Sequence, residues 1–166
     1  MKTKRFVYLA LLAAMAIALN LFESAFIGSF AYGIRIGLAN IIALITMRFL
    51  GVREMLAVNA LRVIIGNLLR GLLFAPSFFI GAGGVILSSL VLVILNRTAS
   101  TVVFTSVLSS LAHSAGQLLV VILLYHQPGM AVLLPYLMLG SIGAGILTGV
   151  TAALALKRIE PLRLNG

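Results

Sequence analysis

Six apolar segments, separated by short breaks of glycine, proline and polar residues, run the length of the chain. They predict helices at residues 6–27, 36–49, 55–74, 78–95, 102–125 and 131–156. A helix that crosses a bilayer needs about 20 mostly apolar residues, and segment 36–49 is the one that is clearly short of that length. We expect this second helix to tilt or to lie in a thin part of the protein. The pattern predicts an all-α integral membrane bundle of six transmembrane helices, forming a single domain over residues 1–166.

Composition supports a bilayer as the solvent of this fold. The chain is 62% hydrophobic and only 9% charged, and a soluble fold of 166 residues cannot hide that much apolar surface. The net charge of +9 does not indicate nucleic-acid binding, because the basic residues flank apolar runs and form no soluble patch. The basic N-terminus resembles a signal peptide, but the apolar run that follows reaches spanning length, which favours a first membrane helix.

The positive charges gather at one alternating set of helix ends. These are Lys2, Lys4, Arg5, Arg48, Arg53, Arg97, Lys157, Arg158 and Arg163. The breaks on the other side carry Arg35, and Arg70 lies near a helix end there. Because basic residues are enriched on the cytoplasmic side of membrane proteins, we expect both termini in the cytoplasm and a multi-pass protein of the inner (cytoplasmic) membrane.

Polar residues from several helices fall in the outer half of this predicted bilayer. The candidate substrate-binding residues are Glu23, Arg35, Asn40, Arg62, Asn67, Arg70, His113 and Gln117. Their spacing indicates two polar helix faces, one along Asn59, Arg62, Gly66 and Arg70, the other along Ser106, Ser110, His113 and Gln117. A charge in a membrane helix costs about 2.5–3.5 kcal/mol on insertion scales. We therefore expect the two faces to meet each other or a water-filled cavity.

The charges in this half favour an anionic ligand. Three arginines accompany a single glutamate, and the arginine fork suits a phosphate, a diphosphate or a carboxylate. Simpler readings stay open for individual residues. Glu23 suits a structural ion pair with Arg35 or Arg62, Arg70 is close enough to the outer interface to snorkel, and a lone histidine is often only a bundle residue.

Motifs for catalysis are absent from the sequence. The chain has no aspartate and no cysteine, and it lacks both an HExxH motif and a GxxxxGK[ST] phosphate loop. We therefore expect no enzyme activity, no catalytic or metal-binding residue and no cofactor. If ATP drives the protein, another subunit must hydrolyse it.

The first helix has a second face, made of small residues. Ala10, Ala14 and Ala18 repeat every four residues on the side opposite Glu23. Small residues allow helices to approach closely, either within the bundle or on a partner. The glycines of the sixth helix, Gly145 among them, form a similar face that we assign to internal packing.

Three segments resemble a known family: GIRIGLAN at 33–40, LRVIIG at 61–66 and LAHSAGQL at 111–118. They resemble the Gx transporter family, whose members are also labelled heptaprenyl diphosphate synthase component I, over nearly the whole chain. That family is similar to the S components of energy-coupling factor (ECF) transporters. The resemblance implies six helices, an outward-facing substrate pocket, and a first helix that docks on a membrane coupling subunit through Ala10, Ala14 and Ala18. The implied partners are this coupling subunit, ATPase subunits, a small-molecule ligand and the lipid bilayer.

The sequence leaves other functions open. The synthase label conflicts with the chemistry, since polyprenyl synthases use aspartate-rich Mg²⁺ sites and this chain has no aspartate. The alternative is a non-catalytic membrane accessory subunit in isoprenoid or quinone metabolism, or in flavin-linked electron transfer. A channel or scaffold bundle with structural polar residues is the third hypothesis.

Overall fold

The computed structural model describes residues 2–26, 37–98 and 100–164. The helices over these residues are α1 (Lys2–Phe26), α2 (Leu38–Phe49), α3 (Val52–Leu69), α4 (Pro76–Leu95), α5 (Val102–Tyr125) and α6 (Leu134–Leu164), with a 3₁₀ helix at Pro128–Leu133. None of the described residues forms a strand. The prediction of an all-helical fold is therefore confirmed.

The helix bounds agree best with the prediction where a polar side chain caps the first turn. The α5 helix begins at Val102 as predicted, because the Thr101 side chain accepts the N–H of Phe104 at 3.3 Å and caps the first turn. The α4 helix begins earlier than predicted, with Pro76 in its first turn, where a missing N–H costs nothing. The sixth segment opens as a 3₁₀ turn and then continues well beyond the predicted end at residue 156.

The prediction of α3 was wrong at its C-terminal end. We expected this helix to reach residue 74, but it ends at Leu69 because Gly71 adopts a left-handed φ of 66°. Two hydrogen bonds close the turn, from Gly71 N–H to Leu68 O at 3.0 Å and from Leu72 N–H to Asn67 O at 2.9 Å. This is the Schellman pattern that commonly ends helices at glycine.

The short α2 helix lies at the centre of the bundle. It contacts α1, α3, α5 and α6, and most of its residues are buried. Its side chains Leu44 and Met47 join Met55 of α3 and Leu92 of α4 in one apolar core. With 12 residues, α2 is only about 18 Å long, against the roughly 30 Å of a bilayer core.

One end of the bundle carries the basic residues. Arg5 of α1 pairs with Glu54 of α3 at 2.5 Å and also donates to the carbonyl of Leu50 at 2.9 Å. Arg48 of α2 donates to the carbonyl of Ser100, before α5, at 3.2 Å. The breaks after α2 and α4 therefore lie at the same end as the start of α1, as the charge pattern requires. We refer to it as the basic end.

The outer surface is suited to hydrocarbon. Four stretches are long and apolar enough to cross a membrane, Thr3–Phe26, Pro76–Leu95, Val102–Tyr125 and Pro128–Ile159, and Leu38–Phe49 is a shorter apolar helix. Large side chains such as those of Phe6 and Leu139 are about 70% exposed on this surface. Such continuous apolar exposure is typical of a membrane protein.

Candidate functional site

The α3 helix supplies the centre of the polar site. Arg62, Gly66 and Arg70 share one face, as their spacing predicted, and Asn67 lies beside them. Arg62 is only 2% exposed and Asn67 only 4%, while Arg70 is half-buried. Arg62, Gly66 and Asn67 lie in the half of α3 that is distant from the basic end, and Arg70 follows directly after the last residue of the helix.

Arg70 is bound to the bundle and directed inward. Its Nε donates to the Gly66 carbonyl at 2.9 Å, and its two terminal nitrogens donate to Ser24 Oγ of α1 at 2.6 Å and to Asn67 Oδ1 at 3.1 Å. A longer bond of 3.4 Å reaches Asn20 Oδ1 on α1. The guanidinium therefore joins α3 to α1, which is a different role from the snorkelling that its position near a helix end allowed.

Gly66 makes this contact between α1 and α3 possible. A Cβ at this position would lie 3.1 Å from Asn20 Oδ1, which is tight. Without it, the amide of Asn20 reaches the arginine beside the α3 backbone.

Arg62 is held by the start of α2. Its Nη2 donates to Asn40 Oδ1 at 3.1 Å, and Asn40 is itself 4% exposed. Asn40 lies in the first turn of α2, where its N–H donates to the Gly37 carbonyl at 2.8 Å. Gly37 has a left-handed φ of 76°, which suits glycine.

Glu23 connects α1 to the same turn. Its Oε1 accepts the backbone N–H of Gly37 at 2.5 Å, and the side chain is only 3% exposed. A carboxylate beside the first turn of a helix is also stabilised by the helix dipole. The buried acid thus fixes the entry into α2, and with it the position of Asn40.

These side chains surround one small cavity of about 20 Å³. The residues lining it are Asn20, Glu23, Gly37, Ala39, Asn40, Arg62, Val63, Asn67, Arg70, Gly81, Val85 and His113. They come from α1 to α5 and the residue before α2. Predicted site residues from four different helices therefore meet at one place in the fold.

Two of the predicted residues do not appear in this lining. Arg35 lies outside the described residues. Gln117 is half-buried against α4, where its Cγ would lie 2.7 Å from a Cβ added to Gly84. His113, one turn away, does line the cavity and is 8% exposed.

The polar face predicted on α5 has two different uses. Ser106 bonds to Thr148 of α6 at 2.9 Å, and a Cβ added to Gly145 would lie 3.2 Å from Ser110 Oγ. This half of the face packs against α6, whereas His113 faces the cavity. Gly145 and Gly149 of α6 pack against α5 in this way, as expected, whereas Gly143 is exposed.

Asn20, Gly37 and Gly81 are not among the site residues predicted from the sequence. All three line the cavity. Asn20 lies one turn before Glu23, which was an available signal. Gly81 belongs to a glycine-rich run in an apolar helix, which gave no indication of a polar neighbour.

The charge of the site favours an anion. Two arginines and one glutamate are among the lining residues, so one positive charge remains whichever groups pair. The arginines present planar donors that match phosphate and carboxylate oxygens. No group of three histidine or acidic side chains able to hold a metal ion occurs within the described part of the chain.

The volume of the polar cavity limits the size of the ligand that it can hold. A space of about 20 Å³ accepts one water molecule, whereas pockets for small-molecule ligands measure about 300–1,000 Å³. A ligand larger than a few atoms fits only when the surrounding helices separate.

Among the described residues, the aromatic side chains near this end do not line the cavity. Phe22 and Phe26 stack at 4.6 Å between ring centroids, and each is more than half exposed. Phe74 is 70% exposed. Their placement on the surface is typical of an interfacial aromatic belt.

Fold and site together define a helical membrane protein with a buried, cationic, hydrogen-bonded site in the half distant from its basic end. The chain belongs to the heptaprenyl diphosphate synthase component I family, whose model matches residues 12–155. The family assignment made from the three sequence segments is thereby confirmed. No curated protein matches the chain, and no solved structure matches it.

Proposed function

We propose that this protein is the substrate-binding membrane subunit, or S component, of an ECF-like ATP-driven importer. It captures a small anionic or amphipathic compound from outside the cell. The observation that carries this proposal is the burial of Arg62, with Arg70 lining the same cavity, in the half of the bundle distant from the basic end. Cations are expensive inside a membrane protein, and those that occur usually mark a ligand or ion pathway.

The arginines, asparagines and histidine of the site have different roles in this proposal. Arg62 and Arg70 bind the anionic group through their guanidinium forks. Asn40 and Asn67 hold the two forks in place, and His113 provides a further polar group from α5. Arg35 precedes Gly37 by two positions in the sequence, and we assign it to the same anionic group.

The proposed orientation places both termini in the cytoplasm. The basic end then faces inward, in keeping with the positive-inside rule, and the site opens outward. A binding subunit of an importer requires this arrangement, because the substrate arrives from outside.

The proposed partners are a membrane coupling subunit and ATPase subunits. Ala10, Ala14 and Ala18 are exposed on α1, whereas Ala13 and Ala16 are buried against the bundle. The exposed alanines leave a flat strip on which another helix can pack closely. The sequence has no phosphate-binding loop of its own, so ATP hydrolysis is assigned to the partners.

The description of the family favours a second candidate function. A component I of a synthase suggests a non-catalytic accessory of a separate polyprenyl synthase in isoprenoid or quinone metabolism. Such an accessory would need no carboxylates for catalysis, which agrees with the absence of aspartate.

Native mass spectrometry of the purified full chain separates the two candidates. The importer proposal expects a bound anionic small molecule, and titration calorimetry should detect inorganic pyrophosphate as a substitute ligand. Co-purification with a prenyl synthase, together with no response to pyrophosphate or to inorganic phosphate, would reject the importer and support the accessory role.

A further inference from the structure

A second, apolar cavity lies directly beside the polar site, between α3 and α4. Its volume is about 170 Å³. The lining residues are Asn59, Ala60, Val63, Ile64, Ala82, Val85 and Ile86. All but Asn59 are apolar, so this lateral groove suits hydrocarbon and offers little to a charged group.

The lateral groove and the polar cavity share a wall. Val63 of α3 and Val85 of α4 line both spaces. Arg62 precedes Val63 in the chain and lines the polar cavity, so the charged site lies immediately behind the groove. When the helices separate to admit an anionic head at Arg62, the apolar tail of the same molecule can extend past these valines into the groove.

The groove opens toward the hydrocarbon of the bilayer. Ile64 is 49% exposed and Ile86 is 69% exposed, and both lie on the outer surface of the bundle. Toward the basic end the space is bounded by a cross-link between the helices, from Asn59 Nδ2 to Ser89 Oγ at 2.8 Å. The tail is therefore blocked toward the basic end and can leave sideways between α3 and α4.

We propose that the ligand is a single-chain amphiphile with an anionic head, whose tail leaves the site between α3 and α4. This inference rests on the proposed function, and it narrows the substrate class from small anions in general. A cavity of about 150 Å³ holds one benzene ring, so the groove encloses about six carbons and the rest of a longer tail lies in lipid. A groove of that size has room for one chain.

The length of the ligand's alkyl chain is the variable that tests this inference. Calorimetry on the full protein should compare inorganic phosphate with ethyl, butyl, hexyl and octyl phosphate, all short enough to stay mainly in water. Affinity should rise by up to about fourfold per methylene until about six carbons are enclosed, and then level off. Affinity that is independent of chain length would overturn the inference.

Variants that fill the lateral groove provide a second test of the inference. Ala82→Phe places a ring between the helices, and Ala60→Phe places one at the exposed mouth of the groove, where folding is easily preserved. Both should remove the dependence on chain length while affinity for inorganic phosphate stays within about twofold, which also shows that each variant has folded. The control, Leu147→Phe, puts the same ring on the lipid-facing side of α6, at a residue that is 58% exposed, and should retain the full dependence.

Two outcomes distinguish a failure of the groove inference from a failure of the proposed function. If inorganic phosphate binds and Arg62→Lys weakens it, but tails add nothing, the head site stands and the groove inference fails. If neither phosphate nor its esters bind, the proposed function fails as well. A two-chain probe, dihexanoyl phosphatidic acid, should bind no more tightly than hexyl phosphate; tighter binding would identify a membrane phospholipid as the occupant and reject the single-chain ligand.

Discussion

Replacing Arg62 tests the proposed site most directly. The side chain is 2% exposed and its Nη2 donates to Asn40 Oδ1 at 3.1 Å, so the guanidinium is fixed before any ligand arrives. Removing one partner of a buried, hydrogen-bonded charge pair costs about 2–5 kcal/mol of binding. For Arg62→Ala we therefore expect the affinity for pyrophosphate to fall by about thirtyfold to several-thousandfold, which amounts to loss of measurable binding.

Arg62→Lys should weaken binding less than Arg62→Ala does. Lysine keeps the positive charge but loses the planar fork and, with it, one charge-assisted hydrogen bond worth about 1.5–3 kcal/mol. The expected loss is about tenfold to 150-fold by the same conversion. Arg53→Ala is the matched control, because Arg53 is an exposed arginine at the opposite, basic end of the bundle. It should leave the affinity unchanged.

Affinity must be measured together with stability. Calorimetric titration with pyrophosphate gives the first, and thermal unfolding of the same samples gives the second. A structural arginine would lower the melting temperature when removed and leave the affinity of the folded fraction unchanged. That result for Arg62→Ala would refute the binding role.

Three further predictions concern packing, topology and docking. Gly116→Ala should destabilise the fold by about 1–3 kcal/mol, because the added Cβ would lie 2.5 Å from a backbone oxygen of α4, whereas Gly143→Ala meets nothing within 4 Å and should be neutral in thermal unfolding. A cysteine at Gln127 should react with an impermeant reagent from outside and one at Thr98 should not; the opposite pattern would reverse the orientation. Ala14→Leu should abolish co-purification with a coupling subunit without changing pyrophosphate affinity, while Gly143→Leu should retain the partner. Retention by both variants would exclude docking through this face of α1.

The sequence predicted helix bounds best where local signals mark them. Apolar length and a polar cap defined α5, and both act within a few residues of the boundary. The end of α3 was missed because Gly71 lies inside an otherwise apolar run, where a single glycine in a left-handed conformation outweighs hydropathy. Hydropathy measures preference for lipid and carries no information on backbone dihedral angles.

The site was predictable only to the extent that one helix determines it. Helical spacing alone placed Arg62 and Arg70 on one face of α3. The hydrogen-bond partners of that face depend on which helices pack against α3. A pattern in the sequence does not determine which helices become neighbours. Ser24 and Asn20 of α1 were therefore not assigned to Arg70, although they bond to it. The same limit applies to the groove between α3 and α4, whose walls look like ordinary lipid-facing residues in the sequence.

The hydrogen bonds of the two arginines explain how a buried cationic site can remain ready for an anion. Asn40 accepts from Arg62, while Ser24 and Asn67 accept from Arg70, and all three acceptors are neutral. Neutral oxygens offset part of the desolvation cost of a guanidinium without cancelling its charge. A carboxylate in each of these places would stabilise the arginines more strongly but would also neutralise the site. With a single glutamate among the described lining residues, the cavity keeps a net positive charge inside a low-dielectric bundle, where it attracts an anion far more strongly than it would in water.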